Sequence, residues 1–327
     1  MTSESIKIIH VVPSDKNTGP VNVAKDLIFG LNNSKINASL FNLRGKTRKN
    51  LISSFFSLLN LINNEHIILH SHGIIPDIYC YIISRLKKIK WVSTIHVDPE
   101  EDLKFIYPKL YKIICFIWNK ILKKADHAVY LTEYISSKQN NKNKKTIVNS
   151  RFLKHYEYDK KLENKITLGF CGALIERKNI VNLVNIIKKN SNYDLILAGD
   201  GPLISNLKKT TADSEHIMLL GHQDDLSTFW GKIHILVLPS LAEGVPLVAI
   251  EALSKGIPLI LMDLQNYNGI FTPNETVFIT ELAEYNLFSA IHKIESNYSE
   301  YSTAAKQRYK DTFNFDSWIL KYRLLYE

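Results

Sequence analysis

The chain has 327 residues, 45% of them apolar and 22% charged, enough for two domains that each bury a core. Its three cysteines, Cys80, Cys115 and Cys171, lack metal-ligand spacing, which argues against a disulfide framework or a zinc site. The net charge of +9 is uneven: residues 1–165 carry 27 Lys and Arg against 14 Asp and Glu, and residues 166–327 carry 14 against 18. The first half is therefore the one suited to an anionic partner.

The amino terminus places Glu4 before its first apolar run and has neither a basic leader nor a small-residue cleavage site, so a cytoplasmic location is expected. Short β-branched runs alternate with helical patterns from there on, as in parallel α/β sheets. In the first half the strands read Lys7–Pro13, Ala38–Leu43, His66–His70, Trp91–Val97, His127–Leu131 and Thr146–Asn149. The helices singled out are Val21–Leu31, Pro76–Lys87 and a long one from about Glu101 to Lys124. The most membrane-like stretch, Ile113–Trp118, is too short to span and is bracketed by Lys112 and Lys120. The Lys/Asn run Lys138–Lys145 reads as a loop or exposed helix end. A polar stretch, Lys154–Lys165, reads as a linker between domains 1–160 and 161–327.

The second half repeats the alternation, with strands Ile166–Cys171, Asp194–Ala198, His216–Leu220, Ile233–Leu238, Pro258–Met262 and Thr276–Ile279. Ligands of such doubly wound sheets lie at the carboxyl ends of the strands. At the carboxyl end of the chain, Trp318, Ile319, Tyr322 and Leu325 form a helical stripe that must pack on something.

The segment Ile233–Met262 concentrates the chemistry. A buried strand ends at Pro239-Ser240, Glu243-Gly244-Val245-Pro246 turns into a helix, and Gly256 ends it before a second buried strand. Glu243 stands at the helix mouth, where free N–H groups and the dipole attract an anion. Glu251 lies inside the helix between apolar neighbours, where a carboxylate needs donors such as the hydroxyls of a ribose diol. Upstream, Gly169-Phe-Cys-Gly172 leads through Arg177 and Lys178 into another helix. An ammonium there sits beside positive N–H groups and calls for an anion.

The block PSLAEGVPLVAIEALSKGIPLI (Pro239–Ile260) resembles the donor-binding motif of retaining glycosyltransferases of family four, the group 1 type. The resemblance extends over nearly the whole chain and is closest in the second half. It implies the GT-B fold, α/β, with two doubly wound Rossmann-like domains facing a central cleft and a C-terminal helix returning to the first domain. The domain of residues 1–160 would then serve the acceptor, and that of residues 161–327 the nucleotide sugar. Glu243 would contact the transferred sugar, Gly244 and Val245 the diphosphate, and Glu251 the ribose. Lys178 matches the family's diphosphate lysine. Ala173 stands where an arginine is usual and Asn179 where a glycine is usual, so Arg177 is the candidate for the missing charge. Gly201, in the turn Gly199-Asp-Gly-Pro202, has a family counterpart near the nucleotide, as does the loop Gly221–Asp225. Either segment can equally be a tight turn without a ligand.

In the first half, Gly19 keeps one of the family's two glycines after the first strand, and His96 matches a histidine that approaches the transferred sugar. His70-Ser-His72-Gly73 suggests a metal, but the two alternate histidines are read as pointing to opposite faces, and the resemblance carries a similar motif without metal. No Asp-x-Asp pair stands at a donor strand end. The reading is a metal-independent retaining hexosyltransferase without a cofactor, with His96, Lys178 and Glu243 as the catalytic set. It would move a sugar from a nucleoside-diphosphate sugar to a glycan or lipid-linked acceptor in bacterial surface polysaccharide or glycolipid synthesis. The basic first domain, with lysines and aromatics mixed along Glu101–Lys124, would bring it to an anionic membrane surface on the inner face. No nucleic acid is expected, for want of a reading motif. The alternatives are a nucleotide-sugar 2-epimerase, which needs more acids and bases in the first half, and a catalytically weak sugar-nucleotide-binding protein.

Overall fold

A computed structural model describes residues 6–45, 50–62, 66–153 and 165–327. Glu4 and nearly all of the expected linker, residues 154–164, lie outside them. The chain forms two compact units, residues 1–152 with 314–327, and residues 153–313.

Each unit holds a six-stranded, wholly parallel sheet. In the first unit the strands are β1 (Lys7–Val12), β2 (Asn37–Asn42), β3 (Ile67–His72), β4 (Trp91–Ile95), β5 (His127–Tyr130) and β6 (Lys144–Thr146), in the order β2-β1-β3-β4-β5-β6. The second unit has β7 (Thr167–Cys171), β8 (Asp194–Ala198), β9 (Ile217–Gly221), β10 (Ile235–Leu238), β11 (Leu259–Met262) and β12 (Thr276–Ile279), ordered β12-β11-β10-β7-β8-β9. These strands are near-continuous apolar runs because helices cover both faces of a parallel sheet. The order reverses between β1 and β3 in one sheet and between β7 and β10 in the other. Such reversals open a crevice at the carboxyl ends of the strands.

Three of the differences from the sequence reading have a clear local reason. The long helix Glu101–Lys124 is two helices, Pro99–Ile106 and Tyr111–Leu122. Pro108 between them lacks an N–H and pushes Tyr107 out of the helical region. The sixth strand is Lys144–Thr146 rather than Thr146–Asn149, so part of the Lys/Asn run is an edge strand paired with β5. Lysines suit an edge, and the Lys144 ammonium donates to the carbonyls of Ser136 (2.9 Å) and Gln139 (3.0 Å). A helix not singled out, Leu51–Leu61, begins at Asn50, whose side chain caps Ile52 N–H at 2.9 Å.

The C-terminal helix, Phe315–Tyr326, belongs to the first unit, as the fold expectation had it. It buries Trp318, Ile319, Tyr322 and Leu325. Ile319 lies so close to Gly30 of helix Gly19–Asn33 that a Cβ there would meet its Cδ1 at 2.3 Å. Tyr322 and Tyr326 reach the sheet through Thr94 Oγ1 (3.1 Å) and His70 Nδ1 (2.7 Å).

Candidate functional site

At the reversal in the second sheet, the loop after β7 and the loop after β10 bring three predicted residues together. Lys178 ends a single 3-10 turn, Glu176–Lys178, and its ammonium bonds Glu243 Oε1. The Arg177 guanidinium lies 3.5 Å from Glu243 Oε2 and also donates to the Ala242 carbonyl. All three side chains are largely buried, with 13%, 15% and 7% of Lys178, Arg177 and Glu243 exposed. Burial pushes the Glu243 carboxyl up, but the charges of Lys178 and Arg177 outweigh it and hold it below the usual glutamate range. The anion that Lys178 called for is thus Glu243 itself, and Arg177 places its charge there as well.

The turn carrying Glu243 is clamped from a third loop. The Asn266 amide donates to the carbonyls of Glu243 and Gly244, the latter at 3.1 Å. Beside it, the fully buried Tyr267 hydroxyl has no hydrogen-bond partner, and burial next to Glu243 raises it well above the usual tyrosine value. Neither residue stood out in the sequence. An Asn-Tyr pair just past a buried strand carries no signal until the fold places it against the Glu243 turn.

Gly244 and Val245 are buried between Glu243 and the helix Leu247–Ser254, for which Pro246 is the N-cap. Glu251 lies in that helix and is half-buried. Asn179, in the usual glycine position, adopts φ 55°, a left-handed conformation that asparagine tolerates better than most residues. Ala173 is exposed. Gly199 and Gly201 are explained by loop packing: an added Cβ would lie 1.9 Å from the Gly172 carbonyl oxygen and 2.5 Å from that of Leu174. In the Gly221–Asp225 loop, Asp225 caps the next helix through Ser227 N–H at 2.8 Å.

In the first unit, Gly19 starts the helix after β1 and is open around its Cα. His96 follows the carboxyl end of β4. It is not alone: His10 of β1 and His70 and His72 of β3 share its side of the sheet. The expectation that His70 and His72 point to opposite faces is wrong, since residues two apart on a strand share a face. Their rings stack at 4.5 Å between centroids. His72 Nε2 lies 3.0 Å from His10 Nδ1, and His72 Nδ1 lies 3.0 Å from His96 Nε2. Burial lowers His10 and His96 to about 3 and, aided by the neighbouring histidines, takes His70 and His72 well below the ordinary value. All four are neutral at physiological pH.

The opposite face of β3 holds a second group that the sequence did not reveal. The buried Asp77 carboxylate accepts from Ser71 (2.6 Å), Ser93 (2.7 Å) and the Trp118 indole (2.7 Å). Burial still raises it to about 6. Asp98, beside His96 in sequence, is a helix cap paired with Lys138 at 2.7 Å.

Known proteins resemble the chain at three levels. Residues 153–311 match the family described as glycosyl transferases group 1. The O-antigen biosynthesis glycosyltransferase WclY of Escherichia coli is 24% identical over 94% of this chain and 98% of its own. Among solved structures, sucrose-phosphate synthase from Thermosynechococcus elongatus superposes with a TM-score of 0.83 at 15% identity, and Anabaena HepE, in complex with UDP and glucose, with 0.78 at 12%. Both alignments cover 98% of each chain, and the shared fold is GT-B. The match to the group 1 glycosyl transferases thus falls on the second unit, in a chain that resembles O-antigen glycosyltransferases along nearly its whole length and has the GT-B fold.

Proposed function

We propose that the protein is a retaining glycosyltransferase that moves a sugar from a nucleoside diphosphate to an acceptor hydroxyl in bacterial surface polysaccharide or glycolipid synthesis. The observation that carries the reading is the Lys178–Glu243–Arg177 cluster at the sheet reversal, on the motif that the family uses for its donor. The name of WclY supports the pathway, and the UDP and glucose bound to HepE support the donor class.

In the proposed reaction the bond from the anomeric carbon to the diphosphate breaks, and its electron pair leaves on the diphosphate. The acceptor oxygen bonds to the anomeric carbon from the same face, and its proton passes to the departing phosphate oxygen. Lys178 and the N-terminus of helix Leu247–Ser254, with the backbone of Gly244 and Val245, would meet the developing negative charge. Each such preorganised donor is typically worth ~3–4 kcal/mol. Glu243 would hold sugar hydroxyls, Glu251 the ribose diol, and His96 would contribute a hydrogen bond to the sugar. Arg177 replaces the charge missing at Ala173 only indirectly, by sharing Glu243 and so freeing Lys178 for the diphosphate. Protein cations in this role make a metal ion unnecessary.

A lipid-linked acceptor fits a second surface. On helix Tyr111–Leu122 and the turn before it, Leu110 (55%), Ile113 (60%), Phe116 (60%) and Ile117 (52%) are exposed, interleaved with Lys109, Lys112 and Lys120. Apolar side chains framed by lysines suit an anionic lipid surface. No helix among the described residues is long and apolar enough to cross a membrane.

Incubation with a panel of nucleoside-diphosphate sugars and lipid-linked acceptors, with chelator added, tests the reading. Release of nucleoside diphosphate and a product with the donor's anomeric configuration are expected. Sugar interconversion without transfer would indicate the epimerase, and binding without turnover a sugar-nucleotide-binding protein. Loss of turnover in chelator would refute metal independence.

A further inference from the structure

The four histidines on one face of the first sheet are not equivalent. His10 and His72 have ring centroids 5.3 Å apart with facing nitrogens at 3.0 Å, and His72 and His96 repeat both values. One nitrogen contact plus two ring radii accounts for that spacing, so the three rings stand in line, edge to edge. His70 instead stacks on His72, with centroids 4.5 Å apart, and lies tilted by 42° against His10 at 4.6 Å. Its own nitrogens go to Tyr326 and to Thr94 Oγ1 at 2.8 Å.

Nitrogen atoms of His10, His70 and His72 lie within 4.8 Å of one another, close enough to raise a metal site. The existing partners oppose convergence on an ion. His10 Nδ1 and His72 Nε2 face each other at hydrogen-bond distance, and both His70 nitrogens are taken by Tyr326 and Thr94. A zinc ion needs each nitrogen at about 2.0–2.1 Å in a tetrahedral array.

We propose that His10 and His72 are positioning residues which set the tautomer of His96, so that His96 presents a neutral Nδ1–H donor to the bound substrate. Each neutral imidazole has one N–H, and which nitrogen carries it is set by the hydrogen bond at the other. Two successive N···N contacts therefore force all three protons to point the same way along the chain. If they point toward His10, its Nε2–H is a donor without an acceptor. If they point toward His96, the same atom is a bare lone pair. His10 is fully buried and its Nε2 has no partner. Orphaned buried N–H groups are the rarer fault in proteins, so the protons run from His10 toward His96. The chain thus leads from the middle of β1 to the carboxyl edge of the sheet, where His96 is only half-buried. The low values of all the rings keep it uncharged.

The substrate's identity rests on the proposed function, whereas the tautomer does not, and the two are read separately. Ring-labelled ¹⁵N-histidine spectra of the whole protein should show His96 protonated on Nδ1. His10→Asp puts an acceptor in place of the first donor and should move that proton to Nε2, two rings away, with kcat/KM falling five- to tenfold. His10→Asn keeps an amide N–H near the Nδ1 position and should restore both. A wild-type spectrum with His96 protonated on Nε2 overturns the proposal without any variant. So does a His96 spectrum unchanged in folded His10→Asp. One-for-one Zn²⁺ binding that disappears in His10→Asn would overturn it in favour of a metal site. Absence of glycosyl transfer, with the tautomer as expected, would count against the proposed function alone.

Discussion

Replacing Lys178 by Met removes the closest charge from a carboxylate whose side chain is only 7% exposed. Breaking a buried ion pair by deleting one partner costs about 3–5 kcal/mol when nothing else compensates. Arg177 remains 3.5 Å away, and at an effective dielectric constant near 20 that contact still attracts by roughly 4–5 kcal/mol before desolvation. We therefore expect Lys178→Met to lose about 2–3 kcal/mol, below the full penalty. The pH dependence has a definite sign. In the wild type the Glu243 carboxyl is depressed, so its contribution is present above the ordinary glutamate range and is lost as pH falls through the depressed value. In the variant, burial is opposed only by Arg177 and the Ser240 hydroxyl, so the loss begins at a higher pH. Urea titrations at pH 7, 5 and 4, followed by hydrogen exchange of β7 and β10, measure both effects. Nucleoside diphosphate release should fall at least tenfold. The companion Glu243→Gln leaves Lys178 free for an anion, so it should bind nucleoside diphosphate more tightly while turning over more slowly. Unchanged urea midpoints and unchanged turnover in Lys178→Met would refute the reasoning about this cluster.

Three other outcomes follow from particular contacts. Gly199→Ala must place a Cβ 1.9 Å from the Gly172 carbonyl oxygen at φ 147°; a loss of at least about 1–3 kcal/mol, the usual cost of such backbone strain, should appear in denaturant unfolding. Acidification should weaken the first unit from about pH 6.5 downward, because native His10 and His96 resist protonation until about 3. Asp77, raised to about 6, works in the opposite direction between about pH 4 and 6, so Asp77→Asn should steepen the acid loss in that window, read by hydrogen exchange of β3 and β4. The double substitution Ile113→Glu and Phe116→Glu, at sites 60% exposed, should change stability by only about 0.5 kcal/mol per site. It should also abolish flotation with phosphatidylglycerol vesicles; retained flotation would rule out this face as the lipid contact.

The sequence determined what local chemistry can determine. β-branched runs separated by helical periods set the parallel α/β class, and the buried strand-loop-helix around Glu243 marked the segment that resembles a donor-binding motif. The spacing of Trp318, Ile319, Tyr322 and Leu325 committed the last helix to burial. Pro108 divides the helix that the sequence reading ran straight through it, although proline acts on its immediate neighbours and the break was therefore open to a local reading. Other features depended on residues far apart in the chain. The pairing of Lys178 and Arg177 with Glu243 spans 65 or more residues and exists because β7 and β10 are adjacent at a sheet reversal. Asn266 and Tyr267 meet the Glu243 turn only after that order is set. The histidine chain needs β1, β3 and β4 side by side, and Asp77 needs Trp118 from a different helix. A periodicity fixes which face of an element is buried, but strand order and register decide which polar groups meet there. Those meetings set the charge of Glu243 and the neutrality of His96.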